Sequence, residues 1–144
     1  MQHNMKFVNF TLVNMSFSLN QEFKDDTAAV LINPEITMGH EYREKDKQLI
    51  VILGLRQIKG NVPYHFEIKG AGLFQFDNTP EEKVLNQLST INCPAILFPY
   101  VRETIADITR RAGFPPLHLA PINFIALANE REAEKKKAAV DAAK

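Results

Sequence analysis

Along residues 5–19 two apolar rows of opposite parity follow one another, first Val8, Phe10 and Leu12, then Val13, Met15, Phe17 and Leu19. Successive side chains of a strand point to opposite faces, so this pattern predicts one long strand with a bulge or bend near Leu12 that returns the apolar set to a single face. The next stretch, NQEFKDDTAAVLIN, has no clear period and no glycine. It is too long for a hairpin turn and reads as a crossover segment. Ile36, Met38, His40 and Tyr42 then alternate with Glu35, Thr37, Glu41 and Arg43, as in a strand with one covered and one wet face. After the turn REKDK, QLIVILGLRQI is apolar on both parities and predicts a central strand buried on both faces. In a fourth strand Val62, Tyr64, Phe66 and Ile68 share one face, Gly70 and Gly72 interrupt the row, and Phe74 and Phe76 resume it. Two glycines on one face predict that something packs closely there.

From residue 79 the period changes. Thr79 is placed as an N-cap, Pro80 as the first helical residue and Glu82 as the partner in a capping box. Val84, Leu88 and Ile91 form the first stripe, and Asn92, Cys93 and Pro94 are expected to break or kink the helix. Beyond them Leu97, Val101, Ile105, Ile108 and Ala112 return at helical spacing, with Pro99 expected in the first turn of the new piece. Gly113 ends it, and FPPLHLAP continues as an extended apolar path. A last helix is expected from about Pro121, apolar at its start and almost wholly charged over EREAEKKK. Four antiparallel strands followed by helices make an α+β layout. We read one domain, with a sheet region at about 5–77, a helical region at about 79–137 and a charged tail at about 130–144.

The chemistry narrows the function classes. At 45 % hydrophobic and 24 % charged residues the chain has the balance of a soluble globular protein. Seventeen basic residues against seventeen acidic ones leave no global field to attract nucleic acid or an anionic membrane. Nowhere do about eighteen apolar residues run together. The opening MQHNMKFVNF lacks the pattern of an export signal, so a cytoplasmic location is expected. Cys93 stands alone, which excludes an intrachain disulfide and reads as a buried small hydrophobe. His3, His40, His65 and His118 share no ligand spacing with it or with one another, so neither a metal nor another cofactor is expected. GAGLF lacks the third glycine and the strand-to-helix setting of a nucleotide fingerprint. Glu103 and Asp107 fall on the charged side of their helix, so the sequence does not read as an enzyme.

The prolyl strip is different. Proline holds FPPLHLAP extended, without a hydrogen-bonded layer of its own, so it must line something. Leu117 and Leu119 of this strip, with Phe23, Val30, Leu31 and Ile32 of the crossover and Ile122, Phe124 and Leu127 at the start of the last helix, predict a long apolar groove. A charge at Phe124 or Leu127 is then expected to weaken binding without unsettling the fold. Leu97, Val101, Ile105 and Ile108 read instead as core or subunit interface.

The stretch CPAILFPYVRE together with FPPLHLAPINFIAL closely resembles the SecB family of export chaperones, and Glu67 within FEIKGAGLF matches the end of that family's fourth strand. The likeness runs over roughly residues 6–130. It implies a four-stranded antiparallel sheet with a long kinked helix and a second C-terminal helix, assembled as a homotetramer, a dimer of dimers. It implies an ATP-independent holdase that keeps unfolded polypeptides non-native for export and hands them to the motor SecA, with Glu67 among the SecA contacts. Some SecB-like proteins serve an antitoxin instead. Asn14 and Ser18 stand where export chaperones carry carboxylates, and His65 replaces an apolar neighbour, so the SecA surface is only partly present. The stretch NEREAEKKKAAVDAAK also departs from the acidic tails of typical members.

Overall fold

The computed structural model describes residues 4–25, 30 and 32–143 of the chain. Four strands come first: β1 (Met5–Leu19), β2 (Glu35–Arg43), β3 (Gln48–Gln57) and β4 (Tyr64–Phe76). The helices α1 (Glu82–Gln87), α2 (Cys93–Arg111) and α3 (Phe124–Ala142) follow. The sheet is antiparallel throughout in the order β1-β4-β3-β2. Consecutive strands β1 and β2 are therefore its two opposite edges, and the connection between them has to travel the width of the sheet. That is why it is long and aperiodic.

β1 keeps one inward row through two bulges, not one. Its register against β4 shifts between Phe7 and Asn9 and again between Leu12 and Asn14, leaving Val8 and Val13 outside the pairing. Phe10, Leu12, Met15 and Phe17 consequently stand opposite Gly72, Gly70, Ile68 and Phe66. Gly70 and Gly72 have no side chain because their space is taken. A Cβ at Gly70 would collide with the Phe10 ring, and one at Gly72 would come within 2.5 Å of Leu97 Cδ2. Phe10 in turn stacks on Tyr100, ring centroids 5.0 Å apart, and thereby links β1 to α2.

The core lies between the sheet and α2. Leu49, Val51, Leu53 and Leu55 of β3, Phe66, Ile68 and Phe74 of β4, and Leu97, Val101 and Ile105 of α2 are all buried. The expectation that β3 is covered on both faces needs correction. Its inward row is sealed, while on the other parity Ile50 and Ile52 are half-buried and Gly54 alone is covered, by the side chains of Thr37 and Lys69. No helix lies over them among the described residues.

The helical region also differs in detail. α1 starts at Glu82 with Glu81 at the cap position and no side-chain cap; Thr79 lies two residues before that position, its hydroxyl 2.9 Å from Tyr42 Oη. Asn92, Cys93 and Pro94 do not break the helix. Residues Leu88–Asn92 take a π-helical turn, in which Cys93 N–H reaches back to Leu88 O. The wider turn accommodates a proline that has no N–H to give. Pro99 then lies inside α2, not in its first turn. Ala95 and Pro99 are both exposed, so water can meet the carbonyl that Pro99 leaves unpaired. α2 ends in a Schellman motif: Gly113 has φ +96, Phe114 N–H donates to Thr109 O at 3.0 Å and Gly113 N–H to Arg110 O at 3.1 Å. α3 begins at Phe124 and not at Pro121, capped by Asn123 Oδ1, which accepts from Ala126 N–H at 3.0 Å.

Replacing Gly72 by valine puts a branched side chain into the place of Leu97. We expect a loss of about 1–3 kcal/mol, read as a lower urea midpoint; an unmoved midpoint would mean that α2 does not seat closely on β4.

Candidate binding groove

The strip between α2 and α3 is built by subtraction of hydrogen bonds. Pro115, Pro116 and Pro121 have no N–H, and among the described residues no backbone–backbone hydrogen bond falls between Pro115 and Ile122. Its side chains alternate from Leu117 to Ala120, Leu117 and Leu119 half-buried and His118 and Ala120 exposed; Pro121 is exposed too, and Ile122 turns inward again. At its near end Phe114 meets the Tyr64 ring edge-on, centroids 4.9 Å apart. One polar contact holds the middle: Leu117 N–H donates to Thr109 Oγ1 at 2.9 Å.

Between this strip and the sheet edge at β2 lies a concavity of about 210 Å³, walled by Ile32, Pro34 and Ile36 on one side and Leu119 and Ile122 on the other, with Leu55 at its base. That volume is below the usual range for a small-molecule pocket. It has room for a side chain presented by an extended polypeptide. Arg131 of α3 reaches the same margin, its Nη2 donating to Ile36 O on the open edge of β2 at 2.6 Å.

Of the residues expected from the sequence, Ile32, Leu119 and Ile122 are brought together here. Leu117 and Leu127 are half-buried against the core, Phe23 is half-buried further along the crossover, and Val30 is exposed. Leu31 lies outside the described residues. Phe124 is a core residue: it is 5 % exposed and meets Phe98 edge-on at 6.1 Å. A carboxylate at Phe124 would be buried unpaired, so the expectation that such a change spares the fold does not hold there. Pro34, Ile36 and Leu55 were not anticipated as walls. The alternation at β2 did mark Ile36 as facing inward, and only the position of the strip turns that inward face into a groove wall.

A second, larger concavity of about 880 Å³ runs between β1 and α2, with Phe10, Leu12, Met15, Tyr100 and Ile108 as its apolar wall. Beside it β1 exposes Val8, Val13 and Leu19, the last at 59 %. Part of its charged rim is paired internally. Asp107 accepts from Arg110 at 2.7 Å and Arg111 at 2.9 Å, and these bonds hold its carboxyl below the ordinary aspartate range. It is an ion-paired surface group and not a poised base.

The uncovered face of the sheet carries Glu67. Its Oε1 accepts from Asn14 Nδ2 at 2.9 Å and its Oε2 lies 4.0 Å from Arg56 Nη1. Arg56 is itself bonded to Glu35 at 2.9 Å and lowers that carboxyl's pKa. Ser18 stands opposite His65 in the β1–β4 ladder. Cys93 is fully buried, 3.8 Å from the sulfur of Met5, and burial pushes its thiol up to about 12. Among the described residues no three His, Cys, Asp or Glu side chains are grouped to hold a metal, and no helix is long and apolar enough to cross a membrane.

A profile of one family, described as preprotein translocase subunit SecB, matches residues 12–135. The chain belongs to the SecB family. It is similar to the protein-export protein SecB of Burkholderia lata, 49 % identical over 87 residues, which cover 60 % of this chain and 54 % of that protein. To the Burkholderia vietnamiensis protein of the same name it is 51 % identical over 78 residues, 54 % of this chain and 48 % of the relative. The chain thus spans about half the length of the curated relatives it matches. Among solved structures, a Mycobacterium tuberculosis SecB-like chaperone in complex with a peptide from an antitoxin superposes with a TM-score of 0.67 at 18 % identity, over 82 % of this chain and 89 % of that one. A Streptococcus agalactiae protein of unknown function superposes with a TM-score of 0.57 at 13 % identity, over 83 % and 99 %. Both share the fold, so the α+β layout of four antiparallel strands, a long irregular helix and a C-terminal helix is the SecB-like one.

Two outcomes follow for the buried groups. Phe124→Asp should lower stability by at least about 3 kcal/mol, visible as a large drop in the urea midpoint; a variant that melts like the parent would place Phe124 at the surface. The Cys93 thiol of the folded chain should resist iodoacetamide at pH 8 and react fully once the chain is unfolded, as mass spectrometry can read. Unfolding brings the thiol back toward its ordinary value of 9.0. Above that pH the unfolded chain ionises where the folded one does not, so stability falls as pH rises.

Proposed function

We propose that the chain is an ATP-independent holding chaperone of the cytoplasm that binds unfolded polypeptides for export. The observation that carries this reading is the concavity between the prolyl strip and β2, lined mostly by apolar side chains with Asn33 among them, and sized for side chains. Apolar burial stabilises by about 25 cal/mol per Å² whatever residue supplies it, so such a site selects exposed hydrophobicity and not a sequence. One buried side chain contributes only about 2 kcal/mol, and tight holding requires several sites linked along one client. Phe23 and Val30 would extend the path along the crossover, and Leu117 and Leu127 would support its floor. No step of this function calls for a catalytic group, a metal or a nucleotide.

Assembly belongs to the same proposal. β1 is an edge strand with an exposed apolar row, the kind of edge that a soluble protein protects by pairing. A second copy on β1 and the adjoining α2 face would cover it, and two such dimers give the homotetramer that multiplies the grooves.

SecA hand-off through Glu67 is the finer part of the reading. Against it stands the engagement of Glu67 with Asn14 and Arg56, which offsets the carboxylate a basic partner would meet. That observation favours a second reading, a dedicated chaperone for a single client such as an antitoxin.

Three measurements test these proposals. Leu119→Asp and Ile122→Asp should weaken binding of carboxymethylated α-lactalbumin by tenfold or more, in the sense that burying a charge costs at least about 1.4 kcal/mol, with the urea midpoint lowered much less than in Phe124→Asp because both residues are only half-buried; unchanged affinity would remove the groove. Light scattering should give about four times the 16.3 kDa of one chain, and a monomer would end the assembly proposal. Titration with SecA separates the two client readings, since heat of binding that vanishes in Glu67→Lys supports export and no binding at all supports the dedicated role.

A further inference from the structure

The prolyl strip has apolar contacts that hold it down but little that holds it in register. Phe114 on Tyr64 and the leucines on the core are non-directional contacts, and a strip could slide or roll against them at small cost. Prolines remove three donors, and the remaining amides between Pro115 and Ile122 make no bond to another backbone group among the described residues. The exception to this freedom is a side-chain bond, Leu117 N–H to Thr109 Oγ1.

Thr109 is fully buried on α2. An amide N–H can only donate, so the hydroxyl must accept from Leu117 and must send its own hydrogen elsewhere. It does so, to Ile105 O at 2.9 Å with Ala106 O at 3.1 Å. A threonine that bonds back to its own helix is common. Here the same oxygen also receives an amide from eight residues ahead, outside the helix. Fixing the amide of Leu117 fixes which parity turns inward over residues 117–120, and with it the place of Leu119 in the groove wall. A displacement of one residue would exchange Leu119 for His118 or Ala120, as in any chain of period two.

We infer that the Thr109 hydroxyl is the positioning residue of the groove, a latch that sets the register of the prolyl strip and through it the affinity for an unfolded client. The client half of this inference rests on the proposed holding function; the latch half does not.

T109V and T109S separate a latch from a packing residue. Valine keeps the volume and removes the acceptor, whereas serine keeps the acceptor and removes a methyl group. T109V should bind carboxymethylated α-lactalbumin roughly fivefold more weakly, the factor expected for one neutral hydrogen bond of about 1 kcal/mol, and its Leu117 amide should exchange at least tenfold faster with deuterium. T109S should stay within twofold of the parent in both, although the lost methyl lowers its urea midpoint. The opposite order, T109V like the parent and T109S impaired, overturns the inference. A second pair acts from the strip side and leaves α2 intact: Leu117→Pro and Leu117→Ala both lose the leucine, and only the proline loses the N–H. Weaker binding of Leu117→Pro than of Leu117→Ala supports the latch, and equal binding overturns it. If the parent chain itself holds no client, the holding function falls, while exchange at the Leu117 amide still decides the latch.

Discussion

Leu97 occupies the space that β4 leaves open at Gly72, and the placement of α2 follows from that contact. A helix seated this closely cannot shift along the sheet without a clash, so the residues it carries acquire definite positions. Phe98 receives Phe124 and orients the start of α3. Tyr100 takes the ring of Phe10 and ties in the edge strand β1. Thr109, three turns further on, meets the strip that returns from the end of the helix. The irregular backbone at Leu88–Asn92 serves the same seating, since a π-turn lets the helix pass Pro94 without breaking.

The apolar surface left over has two characters. Along β1 it is a broad row on an unpaired strand edge, of a kind that another copy of a chain can cover by continuing the sheet. Beside β2 it is a narrow concavity bounded by a strip with no ladder of its own. The first suits permanent burial. The second suits the proposed transient contact, in which each client side chain would gain little and leave easily, and holding would depend on how many are engaged at once. On the sheet's uncovered face the ion pair of Arg56 with Glu35, and its approach to Glu67, give a surface of mixed sign.

The strands were legible because a period of two is a local property, and the bulge in β1 announced itself as a change of parity. The close packing at Gly70 and Gly72 was legible for the same reason. Other features were not. Thr79 looks like a helix cap, but the helix starts three residues later and the Thr79 hydroxyl lies instead against Tyr42, thirty-seven residues away in the chain. Asn92 to Pro94 look like a break or a kink, and only the i→i+5 bonding that the fold permits shows that the helix runs on through a π-turn. β3 looks doubly covered because apolar side chains do not say whether a helix or a further molecule will lie over them. Phe124 and Ile122 look alike, two apolar residues at a helix start. Phe98 decides that one is core and the other wall.

Sequence alone determined the family, the strand order along the chain, the helical period and the extended state of the strip, since prolines act on their own backbone whatever surrounds them. Tertiary structure alone decided which apolar side chains are sealed, which face each other across the groove, and that one buried hydroxyl holds the strip in register. Those are distances between residues far apart in the chain, and local propensity carries no information about them.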